Sequence, residues 1–292
     1  MELAGIMIAA AQATLATPPT LPSDPPQEPI DKSNYTLFDP TPRAALRAFT
    51  TDRPDITESP ITVDAGHVQI EASLIGHAID RVGGAITRTL DALPINLKFG
   101  LTNAIDVQFV FTPFQRVSTR DGATRTTARG VADETQVRLK VNLSGNDPLG
   151  DGGSTTAFAV MPFVKVPTGP AAIGNGQIEG GLILPLAVAL PAGFSLGTMA
   201  EFDLTYDTDR RDYGVDFVHS ATLGHAIVGP LAGYIEYVGV APRPGGGGYR
   251  VAASSGVTYA FGPAWNIDAG GTVGLSGLTD NLTLFAGTSV RF

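Results

Sequence analysis

The sequence predicts an all-β fold: an antiparallel transmembrane β-barrel of about twelve strands behind a Pro-rich N-terminal extension. Three observations carry this. Charged residues are only 16% of the 292, against about 25% in soluble domains. The 35 glycines and 22 prolines cut the chain into short segments. Within those segments apolar and polar residues alternate at period two, the mark of a strand with two different faces. A helix crossing a bilayer needs about 20 apolar residues. The longest internal run, Leu182 to Leu190, is interrupted by Pro185 and followed by Pro191.

Composition narrows the function. There is no cysteine, which removes disulfides, thiolate metal sites and thiol nucleophiles. A net charge of −9 speaks against nucleic acid, which demands a basic face.

Taken in order, residues 1–16 read as an export signal. Leu3 to Ala16 supply the apolar core, and Ala11-Gln12-Ala13 has the small-x-small form of a cleavage site. Met1-Glu2 carries no basic residue, so the basic front of such a signal is expected upstream of this start. Residues 17–66 form a Pro-rich linker and periplasmic N-terminal segment, with Pro18, Pro19, Pro22, Pro25, Pro26, Pro29, Pro40 and Pro42 denying it regular pairing. It is long enough to plug a barrel. The barrel itself is residues 67–292.

Turn signals divide that region into strands at 67–75, 92–100, 105–112, 134–143, 156–166, 177–190, 193–207, 213–224, 230–240, 249–261, 264–274 and 281–292. In 194–207, Phe194, Leu196, Thr198, Ala200, Phe202, Leu204 and Tyr206 oppose Ser195, Gly197, Met199, Glu201, Asp203, Thr205 and Asp207. The last segment sets Leu282, Leu284, Ala286, Thr288 and Val290 against Thr283, Gly287, Ser289 and Arg291, with Phe285 as the exception. Soluble strands average five or six residues, whereas spanning strands need about nine to eleven. The lengths favour a membrane. Connections are also sorted: 100–103, 191–193 and 262–263 are tight, while 113–133, 167–176, 207–212, 241–248 and 275–280 are mostly longer. Outer-membrane barrels have short periplasmic turns and long outer loops. Segment 144–155 is a long turn on the short side.

The two faces then acquire meanings. Phe194, Phe202, Tyr206, Phe217, Tyr237, Tyr249, Tyr259, Phe261 and Trp265 face lipid, several of them near strand ends where aromatic girdles belong. Glu71, Asp106, Gln108, Arg138, Lys140, Lys165, Glu179, Glu201, Asp203, Asp216, Glu236, Arg250, Asp268 and Arg291 face the lumen. Both signs are present, so strong ion selectivity is not expected. Twelve strands fall between filled eight-stranded barrels and open porins, which predicts a narrow or partly plugged passage.

Chemistry finds no footing. His219 and Ser220 are neighbours on opposite faces, so they make no nucleophile–base pair. His219 and His225 lie about 20 Å apart along one face, too far for one metal ion. Gly245 to Gly248 lack the Lys-Ser/Thr of a phosphate loop, and no calcium-loop spacing occurs. No enzyme, metal or cofactor is expected. Arg116, Arg120, Arg125 and Arg129 of 113–133 read as solvated loop charge, with anionic lipopolysaccharide as the other reading.

The stretch Thr51-Asp52-Arg53-Pro54-Asp55-Ile56-Thr57-Glu58-Ser59-Pro60, continuing through Val63 to Glu71, resembles the opening of the family called putative MetA-pathway of phenol degradation. Leu97–Asn103, Arg138-Leu139-Lys140-Val141-Asn142-Leu143 and Met161-Pro162-Phe163-Val164-Lys165-Val166-Pro167-Thr168-Gly169 extend the likeness over about residues 50 to 292. Phe292 is similar to the C-terminal aromatic signal read by barrel-assembly machinery. The resemblance implies a porin-like outer-membrane transporter for aromatic or hydrophobic compounds in a bacterial outer membrane.

The functional expectation is a barrel that passes small hydrophobic or aromatic molecules without catalysis, through a narrow mixed-charge lumen or sideways through its wall. Its partners would be outer-membrane lipid, the assembly machinery and the solute. The rival is a structural or adhesive barrel with a filled lumen and no transport.

Overall fold

The computed structural model describes residues 31–146, 154–276 and 279–292; the expected export signal and residues 17–30 of the Pro-rich segment lie outside them. The described residues form β1 (Val68–Val82), β2 (Ala85–Ala92), β3 (Ile95–Thr102), β4 (Ile105–Phe111), β5 (Phe114–Asp121), β6 (Thr124–Gly130), β7 (Thr135–Ser144) and β8 (Thr156–Val166). They continue with β9 (Glu179–Ala189), β10 (Phe194–Asp207), β11 (Asp212–Val228), β12 (Leu231–Ala241), β13 (Arg250–Ala260), β14 (Trp265–Gly274) and β15 (Leu282–Arg291).

Twelve of these close a barrel. The antiparallel order runs β1, β3, β4, β7 and then β8 to β15, and β15 pairs back onto β1 from Gln69–Arg291 to Ile79–Leu282. Closure satisfies the edge groups that lipid cannot. The interior inverts the rule for soluble proteins. Glu71, Lys98, Asp106, Gln108, Lys140, Glu236, Asp268 and Ser289 are buried inside. Phe194, Phe202, Ile235, Tyr237, Tyr259, Phe261, Trp265 and Leu284 stand exposed outside. Aromatic pairs run along this outer wall: Phe202–Phe217, Tyr206–Tyr213 and Phe261–Trp265, with ring centroids 5.1, 5.1 and 4.3 Å apart. Tight turns at 103–104, 190–193, 229–230 and 261–264 lie at one end.

The other three strands correct the sequence reading. Segment 113–133, expected as a loop, is the hairpin β5–β6, and 76–91, left unassigned, extends β1 and adds β2. Beyond the barrel, β1, β2, β5 and β6 form a protruding sheet. Gly-rich and polar tips hid it, because Gly83-Gly84 and Asp121-Gly122 read equally as loop. Between barrel and protrusion the strands break in one row. Leu93-Pro94 separates β2 from β3, Thr112-Pro113 separates β4 from β5, and 131–134 separate β6 from β7. The register places these breaks side by side: Ala92 faces Phe114 above them and Ile95 faces Phe111 below. Proline has no N–H to give the ladder, and β1 answers with a register shift between Ser73 and Ile75. Leu93 takes φ 60°, a conformation costly for a side-chain-bearing residue. The result is a seam across the wall.

Candidate solute pathway

A loop of the chain lies inside the barrel. It enters at the tight-turn end at Arg47 and returns at Thr62–Asp64. There the Arg47 N–H donates to Asp64 Oδ2 at 3.0 Å and its guanidinium to the Thr62 carbonyl at 3.2 Å. Between these points the loop hydrogen-bonds around most of the circumference. Glu71 accepts from the N–H groups of Asp52 and Arg53 (3.1 Å each to Oε2). Arg53 pairs with Asp268 at 2.5 Å and donates to Ser73 Oγ. Glu236 accepts from the N–H groups of Ile56 (3.0 Å) and Thr57 (2.8 Å). Thr57 and Ser220 hydroxyls meet at 2.6 Å. Arg138 pairs with Glu58. Asn142 donates to the Pro60 carbonyl at 2.9 Å, and Asp106 accepts from the Val63 N–H at 3.0 Å.

The strongest anchor is Asp52. Lys140 Nζ lies 2.9 Å from its Oδ1, and Lys98 pairs with both Asp52 and Glu71. All four side chains are at least nine-tenths buried. Buried charges persist only when paired and hydrogen-bonded, so this cluster fixes where the loop sits. Burial opposes the ionisation of Asp52, but Lys140 and Lys98 outweigh it and hold the carboxyl far below its usual range. Two neighbours on the loop shift the other way. Burial, with Glu236 next, pushes Asp55 up to about 8. Burial, then Asp52, raises Glu58.

The charged residues assigned to the lumen from sequence fall into two groups. Glu71, Asp106, Arg138, Lys140, Glu236 and Asp268 touch the inner loop as just described, and Arg291 reaches Asp64 at 3.5 Å. The others stand toward the long-loop end. Lys165 pairs with Glu179 at 2.7 Å, and Arg250 approaches Asp216 at 3.6 Å. Glu201 and Asp203 share one face of β10, with Asp203 opposite Asp216. The carbonyl of Phe292 accepts from the Val68 N–H, and its ring is exposed at the barrel foot. Sequence reasoning missed Asp52, Arg53, Asp55, Glu58 and Lys98. Lys98 carried a signal, a lone cation within Ile95-Asn96-Leu97-Lys98-Phe99 at an inward position; the loop residues carried none beyond the quoted motif.

The loop divides the interior. Above it, two cavities of about 660 and 310 Å³ share Arg53, Ile56 and Pro94. Below it, cavities of about 670 and 390 Å³ share Arg47 and Ala48. Pro94 belongs to the seam, so the upper space abuts the row of strand breaks. Asp91, Asp203, Asp216 and Phe285 also line its larger cavity.

The sequence matches the family described as "Putative MetA-pathway of phenol degradation" over residues 51–292. The chain belongs to that family. Its fold is that of bacterial outer-membrane channels. The COG4313 outer membrane channel from Pseudomonas putida F1 superposes with a TM-score of 0.60 at 12% identity, over 83% of this chain and 100% of that one. NanC porin gives 0.48 at 11% identity over 77% and 100%. The translocator domain of the autotransporter NalP from Neisseria meningitidis gives 0.45 at 13% identity over 77% and 88%. No curated protein matches the chain by sequence. The family member described here is thus a closed twelve-stranded outer-membrane barrel.

Proposed function

We propose that this barrel carries small hydrophobic or aromatic solutes across the outer membrane without catalysis, and that they leave the lumen sideways. One observation supports the lateral route above the others. The inner loop blocks the axis with a buried ion-pair cluster, while the cavity above it borders Pro94 in the interrupted wall. A cavity of about 660 Å³ is in the range of small-molecule sites. Asp203, Asp216 and Arg250 wet this cavity and Glu201 the smaller one beside it. Lys165 and Glu179 pair nearer the long-loop end, and Glu71, Asp106, Arg138, Lys140, Glu236 and Arg291 anchor the loop instead of lining an open bore. The family description, which names phenol degradation, favours an aromatic solute. Phe292 serves as the signal for the assembly machinery.

The test is phenol entry into vesicles whose outer leaflet is lipopolysaccharide, with and without the protein. Entry should be several-fold faster with it. Equal rates would favour the rival, a structural barrel with a filled lumen.

A further inference from the structure

The protruding sheet has two unlike faces. The paired register of β1, β2, β5 and β6 defines rows running across it. Nearest the membrane wall the outward row is Ile75, Ala92 and Phe114. The next outward row is His77, Leu90, Arg116 and Arg129; then come Ile79, Arg88, Ser118 and Thr127; last are Arg81, Ile86, Arg120 and Arg125. Rows on one face are two residues apart, about 7 Å. The outer face therefore turns from apolar to strongly basic within one step of the pleat.

Among the described residues, Arg81, Arg88, Arg116, Arg120, Arg125 and Arg129 are all exposed there, and none pairs with a carboxylate. The acids of the same strands, Asp80, Asp91 and Asp121, fall on the opposite, inward face. Two arginine pairs stand directly across from each other, Arg116–Arg129 and Arg120–Arg125. Like charges directly opposite weaken a sheet. Folding alone gives no reason to gather them, and a solvated surface would gain from mixing the signs. An external polyanion supplies the missing counter-charge.

We infer that this face docks the phosphorylated headgroup of the outer leaflet's lipopolysaccharide. The place fits that ligand in both of its parts. Acyl chains meet the row of Ile75, Ala92 and Phe114, and phosphates meet the arginine rows just above, where guanidinium forks bind phosphate in a bidentate manner. Docking would neutralise the paired arginines and hold the protrusion flat against the membrane surface, beside the seam.

The full-length protein in detergent can be titrated with hexa-acylated, bis-phosphorylated lipid A and followed by native mass spectrometry. Arg116→Gln/Arg129→Gln should weaken binding at least tenfold, and enzymatic dephosphorylation of the lipid A should do the same to the wild type. Arg210→Gln/Arg211→Gln, with equal loss of charge on the β10–β11 loop, should bind as the wild type does. Heat-dependent gel migration confirms that each variant is folded. Equal binding by the wild type and Arg116→Gln/Arg129→Gln would overturn the inference, as would indifference to dephosphorylation or an equal loss in the loop variant. A deacylated phosphorylated core sugar that binds as tightly as lipid A would overturn it too.

Discussion

The barrel foot and the protruding sheet use charge in opposite ways. At the foot, each anchoring cation of the wall meets a carboxylate of the inner loop or its neighbours: Lys98 and Lys140 meet Asp52, Arg138 meets Glu58, and Arg291 meets Asp64. Nearly all of this is buried, in a setting where an unpaired charge is costly. In the protrusion the arginines are exposed and, among the described residues, meet no carboxylate, and four of them stand opposite one another in two cross-strand pairs. The first region is complete within one chain and should resist change. The second is incomplete, and single substitutions there should cost little folding energy while altering what the surface attracts. Charge count alone would not separate the two; the partner and the water do.

The comparison breaks most directly at Asp52. Asp52→Ala leaves Lys98 and Lys140 buried with less counter-charge, and removing one partner of a buried pair costs about 3–5 kcal/mol. The loss should fall on docking of the inner loop. Limited proteolysis or hydrogen exchange should show residues 47–64 opened while heat-dependent migration still reports an intact barrel. A loop as protected as the wild type's would mean that the cluster does not hold it.

Raising the pH should loosen the loop by a smaller amount. Asp55 is raised to about 8 by burial and by Glu236, and Glu58 is raised by burial and by Asp52. A carboxyl whose docked value is raised binds its proton more tightly in the docked state. Its contribution is therefore whole below the ordinary carboxylate range and fades as pH climbs through the raised value. Protection of 50–60, taken relative to the intrinsic base-catalysed exchange rate, should fall between pH 6 and 9 in the wild type. Asp55→Asn should flatten that fall. Asp52 works in the opposite direction, since its lowered value favours docking above the usual carboxylate range, so acidification to mild pH should leave the cluster intact.

At the seam, Leu93→Gly should relieve the positive φ and stabilise the barrel by about 1 kcal/mol, read as a higher midpoint in denaturant. A lower midpoint would mean that the Leu93 side chain contributes packing that outweighs the strain. Smallest of all, Arg116→Gln/Arg129→Gln should leave stability unchanged or raise it by a few tenths of a kcal/mol, since a like-charge cross-strand pair is removed.

Much of the barrel was legible in the sequence because lipid and lumen impose opposite polarity on alternate residues. The expected strand at 193–207 matches β10, and 156–166 matches β8. The protrusion was not legible. Arg116, Thr119, Arg120, Thr126 and Arg129 are polar on both faces, so period two leaves no trace where neither side is apolar. The inner loop was hidden for another reason. Its charges lie in a segment without periodicity, and their partners are far along the chain, as Arg53 and Asp268, 215 residues apart, show. Parity identified much of the wall half of these contacts, including Arg138, Lys140 and Glu236 but not Lys98, and gave no sign of the loop half.

The lateral route is tested most directly by locking the loop. The chain has no cysteine, so Thr57→Cys/Ser220→Cys introduces one pair at a point where the native hydroxyls already meet. Phenol entry into lipopolysaccharide-faced vesicles would be compared for the oxidised and reduced forms. The oxidised form should admit phenol as fast as the reduced form, because solute leaves above the loop without displacing it. Entry that stops on oxidation and returns on reduction would contradict the lateral route and place the path along the axis.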